Sequence, residues 1–260
     1  MSLSVAGKYA VITGAGSDLT GINLAFAKLL LERGCSVMIG DLTLRPDASS
    51  LLAQYPHPQQ PNRPSALFQS TNVSSWPQLT HLWKRALISF PRVDIVVPGA
   101  GIFEPAWSSF WKPPSTETNA QTESRDRADA EPGTYAVLNV NLTHPTRLSQ
   151  LAIGYWTQER RKGCLVHTPL WLEDPEKKHL AQGEGGELFI EPEEIARGML
   201  ELCENPEYGD GTIFEVTKGA TRVVPAYHAE PPSGKGAVIP QIADEAEKIW
   251  KELEGKGLKV

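Results

Sequence analysis

Residues 8–33 read KYAVITGAGSDLTGINLAFAKLLLER. Lys8 to Thr13 is a short β-branched and aromatic run, which predicts a strand. Gly21 to Arg33 places Ile22, Ala25, Phe26, Leu29 and Leu30 at helical spacing and stops at Gly34, which predicts a helix. Between them Gly14, Ala15, Gly16 and Ser17 form a glycine-rich turn. Glycine has no Cβ to hold a ligand away, and the start of the following helix offers free N–H groups at the positive end of its dipole, so such a turn suits a diphosphate. A tight strand-to-helix turn could use glycines for its own geometry alone. The order strand, glycine turn, helix is what favours the binding reading.

Outward from this unit the same alternation continues. Cys35 to Asp41 reads as a second strand, Gln54 to Pro64 as a Pro- and Gln-rich loop, and Ala66 to Val73 as a third strand. Ser75 to Phe90 suits a helix with Pro77 in its first turn, and Val93 to Val97 is a fourth strand. Parallel βαβ units with helices on both faces are expected: a Rossmann-like doubly wound parallel sheet in three α/β/α layers. The expected strand order is 3-2-1-4-5.

The alternation then stops. Lys112 to Gly133 holds no large apolar residue and is rich in Pro, Ser, Thr, Asp and Glu, so it is expected to be a mobile or disordered surface loop. Tyr135 to about Gln158 predicts a long helix that must accommodate Pro145. Gly163 to His167 is the fifth strand, Glu193 to Cys203 a helix, and Thr212 to Val216 a last strand expected at the far edge of the sheet. The tail 225–260 is Pro-rich and then gives one amphipathic helix, about Ile239 to Leu253. The whole of 1–260 reads as one dinucleotide-binding domain.

Composition bounds the rest. A chain of 260 residues with 40% hydrophobic and 22% charged residues is an ordinary globular one. A net charge of −6 argues against nucleic acid or an anionic membrane as partner. The three cysteines, at 35, 164 and 203, fit reduced cytosolic thiols, and no apolar run approaches the roughly 18 residues of a membrane span. A cytoplasmic location is expected. The six histidines show no metal-ligand spacing, so no metal site is expected. His167 ends a strand and reads as an edge residue before it reads as a base. Glu191 to Glu194 reads as the acidic first turn of a helix, and the aromatics near 103–111 as packing over the sheet end.

Asp41 closes the second strand. A carboxylate there can accept hydrogen bonds from the two ribose hydroxyls of NAD and would repel the 2′-phosphate of NADP. The plain alternative is a solvated residue that starts a turn.

At this point the chain resembles the short-chain dehydrogenase/reductase family, and within it fungal members similar to 15-hydroxyprostaglandin dehydrogenases. Thr13 to Ser17 followed by Gly21-Ile22 is similar to the family's nucleotide loop. Asn72-Val73 stands where the family has Asp-Val against the adenine ring, and Pro98-Gly99-Ala100-Gly101 where it has Asn-Asn-Ala-Gly. Val140 to Thr143 resembles the stretch with the active-site Asn, here Asn141. Thr168 lies where the family has a Thr near the nicotinamide. The resemblance, from about Lys8 to Pro225, implies NAD as cofactor in preference to NADP, a small-molecule secondary alcohol or ketone as substrate, and leaves an oligomer open.

The departures are specific. Asp18-Leu19-Thr20 read as an insertion in the nucleotide loop. Asn23 replaces the loop's last glycine, which is expected to force helix and strand apart or to clash with the diphosphate. Between the fifth strand, Gly163-Cys164-Leu165-Val166, and Thr168-Pro169 there is no room for the strand–helix unit that carries the family's Ser and Tyr-x-x-x-Lys, since a strand–helix–strand unit takes about 30 residues or more. Tyr9, Tyr55, Tyr135, Tyr155, Tyr208 and Tyr227 are followed four residues on by Thr13, Gln59, Asn139, Glu159, Thr212 and Pro231, never by Lys. Tyr155 with Lys162 is the nearest substitute. Two functions compete: an NAD-dependent oxidoreductase, impaired as written or drawn from a shortened gene model, and a non-catalytic nucleotide-binding or scaffold pseudoenzyme.

Overall fold

The computed structural model describes residues 4–16, 21–103, 105–117, 119–166, 190–209, 211–234 and 242–256. Its centre is a parallel sheet of five strands in the order β3-β2-β1-β4-β5, formed by β1 (Tyr9–Thr13), β2 (Ser36–Asp41), β3 (Ala66–Ser70), β4 (Ile95–Pro98) and β5 (Cys164–Leu165). The first strand lies in the middle because it pairs on both edges, Ala10 opposite Val37 and Ile95, Ile12 opposite Ile39 and Val97.

Successive side chains of β1 enter opposite layers. Ala10 and Ile12 pack with Phe26, Leu30 and Leu31 of α1 (Ile22–Glu32) and with Met199 and Leu200 of α6 (Pro192–Glu204). Val11 packs with Leu82 and Trp83 of α3 (Trp76–Ser89) and with Leu148, Ala152 and Trp156 of α5 (His144–Gln158). A strand covered on both faces has no polar alternation to show, which is why β1 and β2 read as nearly continuous apolar runs.

Several elements differ from the sequence expectation. A short helix, α2 (Pro46–Gln54), precedes the Pro- and Gln-rich loop, with Pro46 at its start and Asp47 in its first turn. The long helix begins as α4 (Ala136–Leu138), passes through a π-helical turn at Asn139–Thr143 and continues as α5. Pro145 has no N–H to return to the carbonyl of Asn141, and its ring crowds that carbonyl; a wider turn just before it relieves both. Strand β5 is shorter than expected, although Val166 N–H still donates to Val96 O at 3.0 Å. His167 lies outside the described residues.

The last strand is a correction. Thr212–Val216 was expected to extend the parallel sheet, but β6 (Ile213–Thr217) pairs antiparallel with β7 (Ala220–Val224) in a separate two-stranded sheet. The turn is two residues long, and Gly219 takes φ +74°, which favours glycine. Having found its partner in the next stretch of chain, β6 lies against α6. A Cβ on Gly198 of that helix would stand 2.7 Å from Val216 Cγ2. Cys164 on β5 and Cys203 on α6 bring their sulfurs within 3.4 Å. The tail carries α7 (Ile242–Lys256). No described helix is long and apolar enough to cross a membrane.

Candidate functional site

The site is built where β1, β2 and β4 end together. Gly14 leaves β1 with φ +75° and its N–H bonded to Gly40 O at 3.0 Å. A Cβ there would lie 2.6 Å from Ala100 Cα, so the turn rests directly on the backbone of the loop that follows β4. Gly16 is confined equally: its Cβ would run into Thr43 O and stand 2.8 Å from Asp41 Cβ. Both positions therefore require glycine for close approach of backbone to backbone.

Asp41 ends β2 as expected, with its carboxylate turned to the glycine turn. Oδ2 accepts from Gly16 N–H at 2.8 Å and Oδ1 from Leu42 N–H at 2.7 Å. Burial pushes its carboxyl above the ordinary value; the two N–H donors and the Arg45 charge pull the other way and only partly offset it. Each carboxylate oxygen can accept more than one hydrogen bond, so these contacts leave acceptor capacity toward a ligand.

The helix after the turn begins at Gly21 (φ −86°, ψ 123°), which caps α1 without a side-chain hydrogen bond, followed by Ile22. Ser17, together with the insertion Asp18 to Thr20, lies outside the described residues. Asn23 does not push helix and sheet apart. It is 1% exposed, and its Nδ2 donates to Gly99 O at 2.9 Å. The room for it exists because position 99 is glycine.

The loop after β4 is tied down at several points. Ala100 N–H donates to Thr13 Oγ1 at 3.3 Å. Thr13 Oγ1 also lies 3.0 Å from His144 Nε2, and His144 Nδ1 lies 3.1 Å from Val140 O. Thr13 and His144 are both fully buried. This link from β1 to the π-helical turn is one the sequence reading missed; nothing in the local sequence around His144 announces Thr13. Beyond Gly101, Asn141 accepts from Ile102 N–H at 2.8 Å and donates to Ile102 O at 2.6 Å. The active-site Asn of the resemblance is thus placed beside the glycine-rich loops, engaged with backbone.

Other expected residues fall differently. Asn72 Oδ1 accepts from Ser74 N–H at 3.0 Å, forming the turn that opens α3, and Val73 is buried next to it. Thr168 and the junction after Val166 lie outside the described residues. Tyr155 packs edge-on against Trp83, ring centroids 5.8 Å apart, on the α3 and α5 side of the sheet. Glu193 and Glu194 occupy the first turn of α6. Phe110 and Trp111 stack edge to face at 4.9 Å, with Phe110 exposed, and Arg125 lies 5.6 Å from the ring of Trp107. Within 112–133, Thr122 Oγ1 donates to Pro113 O at 2.9 Å, and Asp126 Oδ1 accepts from Ala136 N–H at 2.8 Å, tying the loop to α4. Among the described residues no group of three or more His, Cys, Asp or Glu is placed to hold a metal ion.

Comparison with known proteins gives three findings. The family model described as short chain dehydrogenase matches residues 8–169. A cis-4-hydroxycyclohexanecarboxylate dehydrogenase of Sinomonas cyclohexanicum is 37% identical over 106 residues, which is 40% of this chain and 39% of that protein. The NADP-dependent dehydrogenase clz5 of Cochliobolus lunatus is 33% identical over 99 residues, 38% of this chain and 31% of that protein. The matched stretch therefore spans well under half the length of either relative. Among solved structures, a short chain dehydrogenase from Mycobacterium avium aligns over 98% of this chain and 96% of its own at a TM-score of 0.59 and 21% identity. That likeness shares the fold.

Proposed function

The chain belongs to the short chain dehydrogenase family, and on that premise we propose that it binds a nicotinamide dinucleotide, NAD in preference to NADP, across the ends of β1, β2 and β4. The observation that carries this reading is the tight glycine turn at Gly14 and Gly16, packed on the loop after β4 at the open start of α1, with the Asp41 carboxylate at its edge. The residues present fit such a group. The uncapped start of α1 at Gly21 and Ile22 would hold the diphosphate through backbone N–H groups, while Gly14 and Gly16, whose own N–H groups are bonded to Gly40 O and Asp41 Oδ2, would shape the turn around it. Asp41 would accept from the ribose hydroxyls, and its charge would disfavour a 2′-phosphate. Asn72, Val73 and the Gly99–Gly101 loop would border the adenine side, and Ser17 and Thr168 would add contacts by their place in the sequence. The relative clz5 is named as NADP-dependent, so Asp41 is the residue that has to separate the two cofactors in this chain.

The bound nicotinamide supplies a hydride acceptor or donor. What the chain's own residues add is binding and orientation on a small secondary alcohol or ketone. Asn141 is held rigidly beside the site but its amide transfers no proton. The sequence contains no Tyr with Lys four residues on, so proton exchange with a substrate hydroxyl lacks the usual pair, and turnover by the chain as written is slow. The same observation favours a second reading, a nucleotide-binding pseudoenzyme.

The test is titration of NADH and NADPH into the unaltered protein and into Asp41→Ala. NADH binds more tightly to the unaltered protein, and Asp41→Ala narrows or reverses the difference. A stronger grip on NADPH by the unaltered protein contradicts the assignment.

A further inference from the structure

Two positions at the mouth of the sheet are each unusual and fit each other. Position 23, in the first turn of α1, carries an amide side chain that is 1% exposed. Position 99, just past β4, carries no side chain at all. An ideal Cβ on Gly99 would run into Asn23 Oδ1 and stand 2.6 Å from both Asn23 Cγ and Asn23 Nδ2. The Asn23 side chain thus occupies the volume that any side chain at 99 would need. It is not merely tolerated there, because its Nδ2 donates to Gly99 O at 2.9 Å. Gly99 N–H is in turn bonded to Val97 O at 2.9 Å, and Ala100 rests against Gly14, so the carbonyl that Asn23 grips belongs to a loop fixed on its other sides.

We propose that Asn23 and Gly99 are a reciprocal pair, in which an amide carried by α1 fills the place of a side chain at 99 and clamps the Gly99–Gly101 loop to the start of the helix, making Asn23 a positioning residue of the dinucleotide site. The proposal rests on the reading of that site given above. Its physical content is pre-organisation. The helix start and the loop after β4 face the same ligand from two sides, and holding them in one geometry before binding avoids ordering them during it. A side chain at 99 would displace the amide from its place, so position 99 is not free to change while Asn23 is present.

The experiment is a double-mutant cycle on the full chain with Asn23→Ala, Gly99→Ala and the two combined, joined by the exchanged pair Asn23→Gly with Gly99→Asn. Three quantities are read: the unfolding midpoint, hydrogen exchange of the amides at 99–102 without ligand, and NADH affinity by nicotinamide fluorescence. Asn23→Ala weakens NADH binding about tenfold, equivalent to about 1.4 kcal/mol, and speeds exchange at 99–102. Gly99→Ala lowers the midpoint in the Asn23 protein but is nearly neutral when Asn23 is already Ala, because the atoms it meets are gone. The exchanged pair recovers affinity and exchange protection to within about threefold. Additive effects in the cycle, or an exchanged pair worse than either single variant, overturn the proposal. If the exchanged pair does not fold, the alanine cycle decides alone. If the unaltered protein binds neither NADH nor NADPH, the functional reading fails while midpoint and exchange still report on the pair; if it binds NADH and the cycle is additive, the pair fails and the functional reading stands.

Discussion

Asn141 grips Ile102 by both of its backbone groups, accepting from the N–H at 2.8 Å and donating to the C=O at 2.6 Å. The amide sits in the π-helical turn Asn139–Thr143, and Ile102 is the first residue beyond the Gly99–Gly101 loop. The π turn and the site loop are therefore one mechanical unit. Asn141→Ala removes both bonds. They are solvent-accessible, so the cost is modest, about 1 kcal/mol in global stability. The local effect is larger in kind: the Ile102 amide should lose most of its protection from hydrogen exchange. An unchanged Ile102 amide in the variant would contradict this arrangement.

Gly14 is constrained twice, by its dihedral angle and by its neighbours. Its φ of +75° costs a residue with a Cβ about 1–2 kcal/mol. The added atom would also meet Ala100 Cα at 2.6 Å, and backbone cannot swing aside as a long side chain can. Gly14→Ala is expected to destabilise by at least about 2 kcal/mol and to abolish dinucleotide binding. Urea unfolding with parallel NADH titration measures both. A variant of normal stability that still binds would show that the turn does not touch the ligand.

Asp41 makes stability and binding depend on pH in opposite senses. Burial raises its carboxyl above the ordinary value, so the folded protein holds this proton more tightly than the unfolded chain does. The stability it contributes is fully present below the ordinary Asp range and is lost as pH rises through the folded value. The ionised form is the stronger acceptor for ribose hydroxyls, so NADH affinity should rise over that same window. Asp41→Asn flattens both trends. Unfolding midpoints and NADH titrations across the acidic range check the signs; parallel curves for the two proteins would refute the role.

Trp156 anchors α5 to the sheet. It is 7% exposed, and its Nε1–H donates to Val93 O at 2.8 Å. Trp156→Phe keeps most of the packing and orphans that carbonyl, costing about 1–2 kcal/mol, whereas Trp156→Ala costs about 3–5 kcal/mol. A pair of equilibrium unfolding curves gives the difference. Equal losses would mean that the hydrogen bond contributes nothing beyond ring burial.

The sequence showed the central strands plainly because β1 and β2 are buried on both faces and the glycine turn between β1 and α1 has few other uses. Strand β6 was visible but its partner was not: IFEVT has the same pattern at a sheet edge as in a hairpin, and Ala220–Val224, half-exposed, completes it only through the Gly219 turn. Helix α2 was hidden by its shortness and by the Pro and Gln residues that follow. Within the site, Gly14, Gly16 and Asp41 were legible one by one. The contacts that organise them were not, because Thr13 meets His144 across 131 positions and Asn23 meets Gly99 across 76. Asn23 looked like an obstruction for that reason; the space it uses is provided by a glycine elsewhere in the chain.

The central claim is that this chain keeps the family's dinucleotide cradle while lacking the Tyr-x-x-x-Lys proton-transfer pair. It is tested most directly by NADH formation from NAD over a panel of secondary alcohols, in the unaltered chain and in one with a family-like segment bearing Tyr-x-x-x-Lys inserted between Val166 and Thr168. General acid–base catalysis contributes about 10²–10⁴-fold, so the unaltered chain should fall at least that far below the restored one. Turnover by the unaltered chain at about 1 s⁻¹, an ordinary enzyme rate, would contradict the account.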